Sequence, residues 1–167
     1  ASFQDALRVV GTRDHAEEDA DFGVASDNVV HQTIWGHTPT TVPGATTIRT
    51  ADLAHLLTEK TPLVIDTMWN FSGHSLRRAI GLNYVGQGGD LADVAQDRLR
   101  QKMRELTEGD LATPIVAVGW NSERFDSRNL VLRLVALGYT KVFWYRGGRE
   151  AWEVANLPET DIVETDW

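Results

Sequence analysis

One segment of this chain, Ile115-Val116-Ala117-Val118, is wholly apolar and is followed by a polar loop and then by a helical pattern. A strand without a polar position is typical of a parallel sheet that is covered on both faces. A helix is predicted over about residues 126–137, and a second strand over residues 142–145. This order of strand, loop, helix and strand predicts parallel β/α architecture.

The chain upstream shows the same alternation. Strands are predicted over residues 46–49, 63–66 and 81–85. Helices are predicted to follow Thr50 and Asp90, because both residue types are good N-caps. The whole pattern predicts an α/β fold in which helices flank a parallel sheet.

The first part of the chain lacks this regularity. Residues 11–28 are rich in Asp, Glu, Gly and Ala, and Pro39 and Pro43 favour an extended connector. We therefore expect an extended N-terminal arm and connector over residues 1–45, and a domain with a short C-terminal tail over residues 46–167. Several apolar residues of the arm, such as Ile34 and Trp35, predict that it packs on the domain or on a partner.

The last third of the chain carries a series of short motifs. The predicted helix is followed by Leu137-Gly138-Tyr139, and the next strand is followed by Gly147-Gly148 and Ala151-Trp152. With the strand and loop before them, these motifs resemble the rhodanese superfamily over about residues 46–158. The resemblance implies a rhodanese-like fold whose loop ordinarily carries a catalytic cysteine. In this chain that position falls on Gly119 or Trp120.

The sequence contains no cysteine. A rhodanese carries sulfur on a thiolate, which neither Gly119 nor Trp120 can supply, so we expect no sulfurtransferase activity. Disulfides and cysteine-ligated metal sites are excluded for the same reason. Ser122 and Ser127 are the alternative nucleophiles, but a serine hydroxyl needs an adjacent general base.

A narrower resemblance rests on the run from Val142 to Pro158 and on the entry segment 38–45. Both look like the rhodanese-like proteins associated with PQQ-dependent alcohol catabolism, whose loop carries a Cys-x-x-Cys-Trp motif. That motif would place its cysteines near Trp120 and on Arg124, and its tryptophan on Phe125. The resemblance implies a periplasmic location, and a quinoprotein dehydrogenase or a c-type cytochrome as protein partner.

Loops at the carboxyl ends of parallel strands are where open α/β sheets bind ligands. Aromatic and arginine side chains in two such loops predict a ligand- or partner-binding surface, since these types anchor interfaces. The alternative is a disused active site whose vacated pocket is filled by Trp120. The predicted binding residues are Asp66, Trp69, Phe71, Arg78, Gly119, Trp120, Asn121, Ser122, Arg124 and Phe125.

Charge and composition exclude other classes of function. The net charge of −8 argues against nucleic acid as a partner, because backbone binding needs a basic field. His31 and His37 without a nearby carboxylate are a weak metal signal, so neither a metal nor a cofactor is predicted. No apolar run approaches the length of a membrane span. Ala1 is consistent with a processed form or a trimmed chain.

These observations favour a catalytically inactive rhodanese-like module that binds a protein partner or a small anionic ligand. The specific expectation is an accessory role in periplasmic quinoprotein (PQQ) alcohol oxidation. The alternatives are a hydrolase that uses a loop serine and a permanent structural subunit of a larger complex.

Overall fold

The computed structural model describes residues 16–67 and 73–167, and these contain a central sheet of six strands. The strands are β1 (Thr46–Thr47), β2 (Leu63–Asp66), β3 (His74–Ser75), β4 (Ile80–Gly81), β5 (Ile115–Val118), β6 (Val142–Tyr145), β7 (Thr160–Asp161) and β8 (Val163–Glu164). The order in the central sheet is β1-β6-β5-β2-β4-β8, and all five strand pairs are parallel. A separate antiparallel pair joins β3 to β7.

Helices cover both faces of this sheet. They are α1 (Thr50–Glu59), α2 (Val94–Thr107), α3 (Asp126–Ala136) and α4 (Gly148–Val154), with a 3₁₀ turn at Ala16–Asp19. Side chains of α1 and α4 pack in one hydrophobic core, and side chains of α2 and α3 pack in the other. The predicted α/β fold with helices on a parallel sheet is therefore confirmed.

Alternate residues of the central strands enter opposite cores. Val116 and Val118 pack on the side of α1 and α4, whereas Ile115 and Ala117 pack on the side of α2 and α3. All four are fully buried. The wholly apolar run in β5 thus reflects a strand that is covered on both faces.

The boundaries differ from the prediction at several elements. The strand predicted over 46–49 ends at Thr47, and Thr50 is the first residue of α1 instead of its cap. The strand predicted over 81–85 ends at Gly81, and a turn follows in which Val85 N–H donates to the carbonyl of Leu82. Helix α2 starts at Val94 and is capped by Asp93, whose side chain accepts from the Gln96 N–H. Asp90 instead forms the preceding turn, where its side chain accepts from the Ala92 N–H.

Residues 16–45 lie against the domain and are held by buried arginines. The Arg146 guanidinium donates to the carbonyls of Glu18, Ala20 and Thr38. Arg128 donates to the carbonyl of Asp27 at 2.6 Å. Burial lowers the pKa of both arginines, with nearby aspartates opposing that shift. In the described residues, no helix has the length and apolarity to cross a membrane.

Candidate binding site at the loop between β5 and α3

The first half of the loop, at Gly119 and Trp120, is locked against α4. The carbonyls of these two residues accept hydrogen bonds from the N–H groups of Arg149 and Glu150, both at 3.0 Å. Gly148 makes this approach with φ at +65°, and a Cβ there would lie 2.5 Å from the Trp120 carbonyl oxygen. Glycine at this position is required by both the backbone conformation and the contact.

Gly119 has no room for a side chain. A Cβ at this position would lie 2.8 Å from the Oδ1 atom of Asp126 and 3.2 Å from the Oγ atom of Ser127. A thiolate projecting from Gly119 would therefore meet a carboxylate, which disfavours a second negative charge.

Asp126 lies at the start of α3, where an anionic ligand would otherwise bind. Its Oδ1 atom accepts from the Ser127 N–H at 2.9 Å, and its Oδ2 atom accepts from the Arg124 Nε at 2.9 Å. A helix N-terminus attracts negative charge through its free N–H groups and its dipole. The protein's own carboxylate fills that position, which argues against an external anion there.

The second half of the loop is covered by the arm. Gly36 N–H donates to the carbonyl of Glu123 at 3.0 Å, and Phe125 N–H donates to the carbonyl of Ile34 at 2.7 Å. The Thr38 hydroxyl donates to the carbonyl of Ser122 at 2.6 Å. The arm therefore pairs with the loop much as an added strand would.

Three predicted binding residues are engaged inside the fold. Asp66 is fully buried, accepts from the Ser75 hydroxyl at 2.5 Å and lies 3.9 Å from the Arg149 guanidinium. Phe125 is buried and stacks on His31 with the ring centroids 3.8 Å apart. Ser122 is also buried. Contact of these three side chains with a ligand stays a prediction.

Among the described residues, Trp120, Asn121 and Arg78 keep part of their surface exposed. Trp120 and Asn121 are half-buried, and the Asn121 amide donates to Glu150 at 2.9 Å. Arg78 is exposed, in a turn with φ at 61°. Trp69 and Phe71 lie outside the described residues.

Arg124 is the predicted residue that lines a cleft of about 290 Å³ next to the loop. Its guanidinium lies over the ring of Trp35, with its central carbon 4.4 Å from the ring centroid. Trp35 and Tyr84 are large side chains exposed at 62% and 50%. The cleft is lined by Ile34, Trp35, Thr67, Tyr84, Gly86, Gln87, Arg124 and Asp126.

Sequence reasoning missed most of this cleft. Trp35 belongs to the arm, and no local pattern indicates that the arm returns to the loop. Tyr84 lies in a segment that was predicted as strand but forms a turn, with φ at 62°. The apolar character of Trp35 was the only signal in the sequence, and it indicated packing without naming a place.

Neither loop serine has an activating base among residues 16–67 and 73–167. The Ser127 hydroxyl accepts from the indole N–H of Trp144 at 2.9 Å and is buried. No carboxylate or histidine within that part of the chain hydrogen-bonds to the hydroxyl of Ser122 or Ser127. In this part of the chain, neither serine is therefore activated as a nucleophile.

The two histidines of the arm have other contacts. His31 Nδ1 hydrogen-bonds to the carbonyl of Thr33 at 2.6 Å, and His37 stacks on Phe22 and lies 3.6 Å from Glu123. In the part of the chain that the structure describes, no three His, Asp or Glu side chains are grouped as a metal site.

Known proteins resemble this chain at the level of the fold. The thiosulfate sulfurtransferase from Pseudomonas aeruginosa matches with 16% identity and a TM-score of 0.50, over 72% of this chain and 21% of that one. A full-length protein from Lactobacillus plantarum matches with 17% identity and a TM-score of 0.52, over 69% and 87%. The polysulfide-sulfur transferase homodimer from Wolinella succinogenes matches with 14% identity and a TM-score of 0.50, over 71% and 80%.

This chain thus spans about a fifth of the length of the Pseudomonas enzyme. No curated protein matches it. The model of the rhodanese-like domain family matches residues 49–155, from the start of α1 to the end of α4. Because this match covers well over half of its length, the chain belongs to the rhodanese-like domain family.

Proposed function

We propose that this protein is a catalytically inactive rhodanese-like module that binds a partner protein at the face formed by the loop and the arm. The observation that carries the proposal is a buried ion pair at the helix N-terminus, in a loop that has no thiol. Asp126 occupies the start of α3 and pairs with Arg124, close to Gly119, one of the two positions where the family's cysteine would fall. Beside that pair, Trp35 and Tyr84 are exposed.

The exposed aromatic rings support binding over mere loss of function. A disused site has no need of large apolar side chains in water, whereas Trp, Tyr and Arg are the residue types that anchor interfaces. Trp120 adds a half-buried ring to the same loop. The second candidate, hydrolysis by a loop serine, has no supporting base among residues 16–67 and 73–167.

The biological setting that we propose is periplasmic quinoprotein (PQQ) alcohol oxidation, with a quinoprotein dehydrogenase or a c-type cytochrome as partner. Its support is the resemblance of the entry segment and of residues 142–158 to the rhodanese-like proteins of that process. That support is analogy, because a fold alone does not carry a function. A permanent structural subunit is the alternative for the mode of association.

Binding to a purified quinoprotein dehydrogenase and to a purified c-type cytochrome from the same cell tests the proposal. Arg124→Ala and Trp120→Ala should each weaken binding by more than about 1 kcal/mol if they anchor the partner. Leu111→Ala is the matched control, because Leu111 is an exposed apolar residue at a different place, away from the cleft. Near-ultraviolet circular dichroism verifies that each variant is folded.

Wild-type binding by both folded loop variants would refute this placement of the partner. Absence of binding to either class of protein would refute the proposed setting. Size-exclusion chromatography of extract from the source cell separates a permanent subunit, which elutes with its complex, from a transient binder.

A further inference from the structure

The charged side chains that line the cleft beside the loop already neutralise each other. Arg124 and Asp126 form an ion pair at 2.9 Å, and their side chains are only 10% and 5% exposed. A second carboxylate brought to Arg124 would also come close to Asp126, where like charges repel in a poorly solvated place. A neutral ligand meets no such cost.

Arg124 nevertheless has donors to spare. A guanidinium offers five N–H groups, and Asp126 takes the one at Nε. Among residues 16–67 and 73–167, no protein atom accepts a hydrogen bond from the two terminal Nη atoms of Arg124. These Nη groups face the cleft without a partner in that part of the chain, so a carbonyl oxygen that enters the cleft gains a charge-assisted hydrogen bond.

The walls of the cleft favour a flat ring. Trp35 and Tyr84 both line it and both expose half or more of their surface to solvent. Aromatic rings pair with other rings in offset or edge-to-face arrangements. A volume of about 290 Å³ accommodates one ring with a small substituent, because it lies at the low end for small-molecule sites.

We propose that this cleft binds a small uncharged ligand, an aromatic ring that carries a carbonyl oxygen, with the ring against Trp35 and Tyr84 and the oxygen accepting from Arg124. The inference rests on the proposed function, since a catalytically inactive module holds its ligand unchanged. Trp35 lies in the arm, outside residues 49–155 that match the family. The arm therefore contributes one wall of the site, and the domain contributes the rest.

Benzamide and benzoate are the matched probes, because they have the same shape and differ in charge. Titration of the wild-type protein, followed by proton–nitrogen NMR, should shift the Arg124 Nε–Hε and Trp35 indole signals. A ligand of this size should bind with a Kd on the order of 1 mM. Benzamide should bind at least about fivefold more tightly than benzoate, given the adjacent carboxylate.

Arg124→Lys keeps a positive charge beside Asp126 and removes the Nη donors, so it should weaken benzamide binding by roughly tenfold. Trp35→Ala should also weaken it, and it tests the ring contact independently if the lysine variant does not fold. Leu111→Ala, away from the cleft, should bind as the wild type does.

Three results would overturn the inference: no shift of either signal with benzamide, tighter binding of benzoate, or wild-type affinity in the folded Lys and Ala variants. The same NMR samples monitor the proposed function separately. Enzyme-dependent appearance of benzoate in the benzamide sample would refute catalytic inactivity. If benzamide shifts neither NMR signal while partner binding is intact, the proposed ligand is refuted and the proposed function stands.

Discussion

The carboxylate of Glu18 accepts hydrogen bonds from both the backbone N–H and the hydroxyl of Thr50, which lies 32 residues further along the chain. Thr50 is the first residue of α1, and the preceding Arg49 provides no side-chain cap. The Thr50 hydroxyl also bonds to the buried hydroxyl of Tyr145 at 2.7 Å. The pKa of Tyr145 is raised well above its usual range by burial, which keeps that hydroxyl protonated. The arm thus supplies the N-terminal cap of a domain helix.

Replacement of Glu18 should destabilise the whole domain. Glu18→Ala removes both hydrogen bonds and the cap, which should lower the free energy of unfolding by about 1–2 kcal/mol. Urea denaturation measures the change. Glu17→Ala is the control, because the neighbouring side chain is exposed. Equal stability of the two variants would show that the arm does not cap α1 in solution.

The arm should show slow hydrogen exchange where it pairs with the loop. The amides of Gly36 and Phe125 donate to backbone carbonyls across that contact, whereas Gly23 donates to the side chain of Asp21 at an exposed place. Opening of the arm is needed to expose the first two amides, so they should exchange much more slowly than Gly23. Exchange of Gly36 as fast as that of Gly23 would contradict the packed arm.

The free energy of unfolding should depend on pH through the ionisation of Asp93. Hydrogen bonding to the buried Arg133 lowers the pKa of Asp93 from 3.8 to about 2. A carboxylate with a depressed pKa in the folded state stabilises the protein above its ordinary pKa. That stabilisation is lost as the pH falls from about 4 to about 2. Asp93→Asn should therefore cost roughly 2 kcal/mol at neutral pH, and less on acidification.

Unfolding curves of the wild type and Asp93→Asn between neutral pH and pH 2 or so measure this difference. Asp97→Asn in the same helix is the control, since this carboxylate is 67% exposed. A stability gap for Asp93→Asn that stays constant down to the lowest pH would assign the cost to geometry instead of charge.

Sulfur transfer from thiosulfate to cyanide should not occur. The chain has no thiol to carry a persulfide, so thiocyanate should not exceed the buffer control. Trp120→Cys should not restore the reaction, because the nearby Asp126 carboxylate holds the helix N-terminus that would stabilise a thiolate. A rhodanese with its cysteine intact verifies the assay. Formation of thiocyanate by the wild-type protein would refute the proposal that it is catalytically inactive.

Local sequence was sufficient for much of the fold. Strands β2, β5 and β6 begin and end where they were predicted, because each is a short run of apolar or aromatic residues flanked by polar or turn-forming ones. Helix α3 was placed within one residue at its end. The absence of a thiol was also evident from the sequence, because it depends only on composition.

The cleft was decided by tertiary structure. Trp35 meets Arg124 across 89 positions of chain, and no local periodicity encodes that contact. The role of Asp126 at the site comes from the guanidinium of Arg124 and from the missing side chain at Gly119. The spacing of apolar residues along the sequence predicts which side chains are buried, because that spacing matches the periodicity of a strand or a helix. Which polar groups face each other across a cleft depends on how distant segments close, and that is settled only when the arm packs on the sheet.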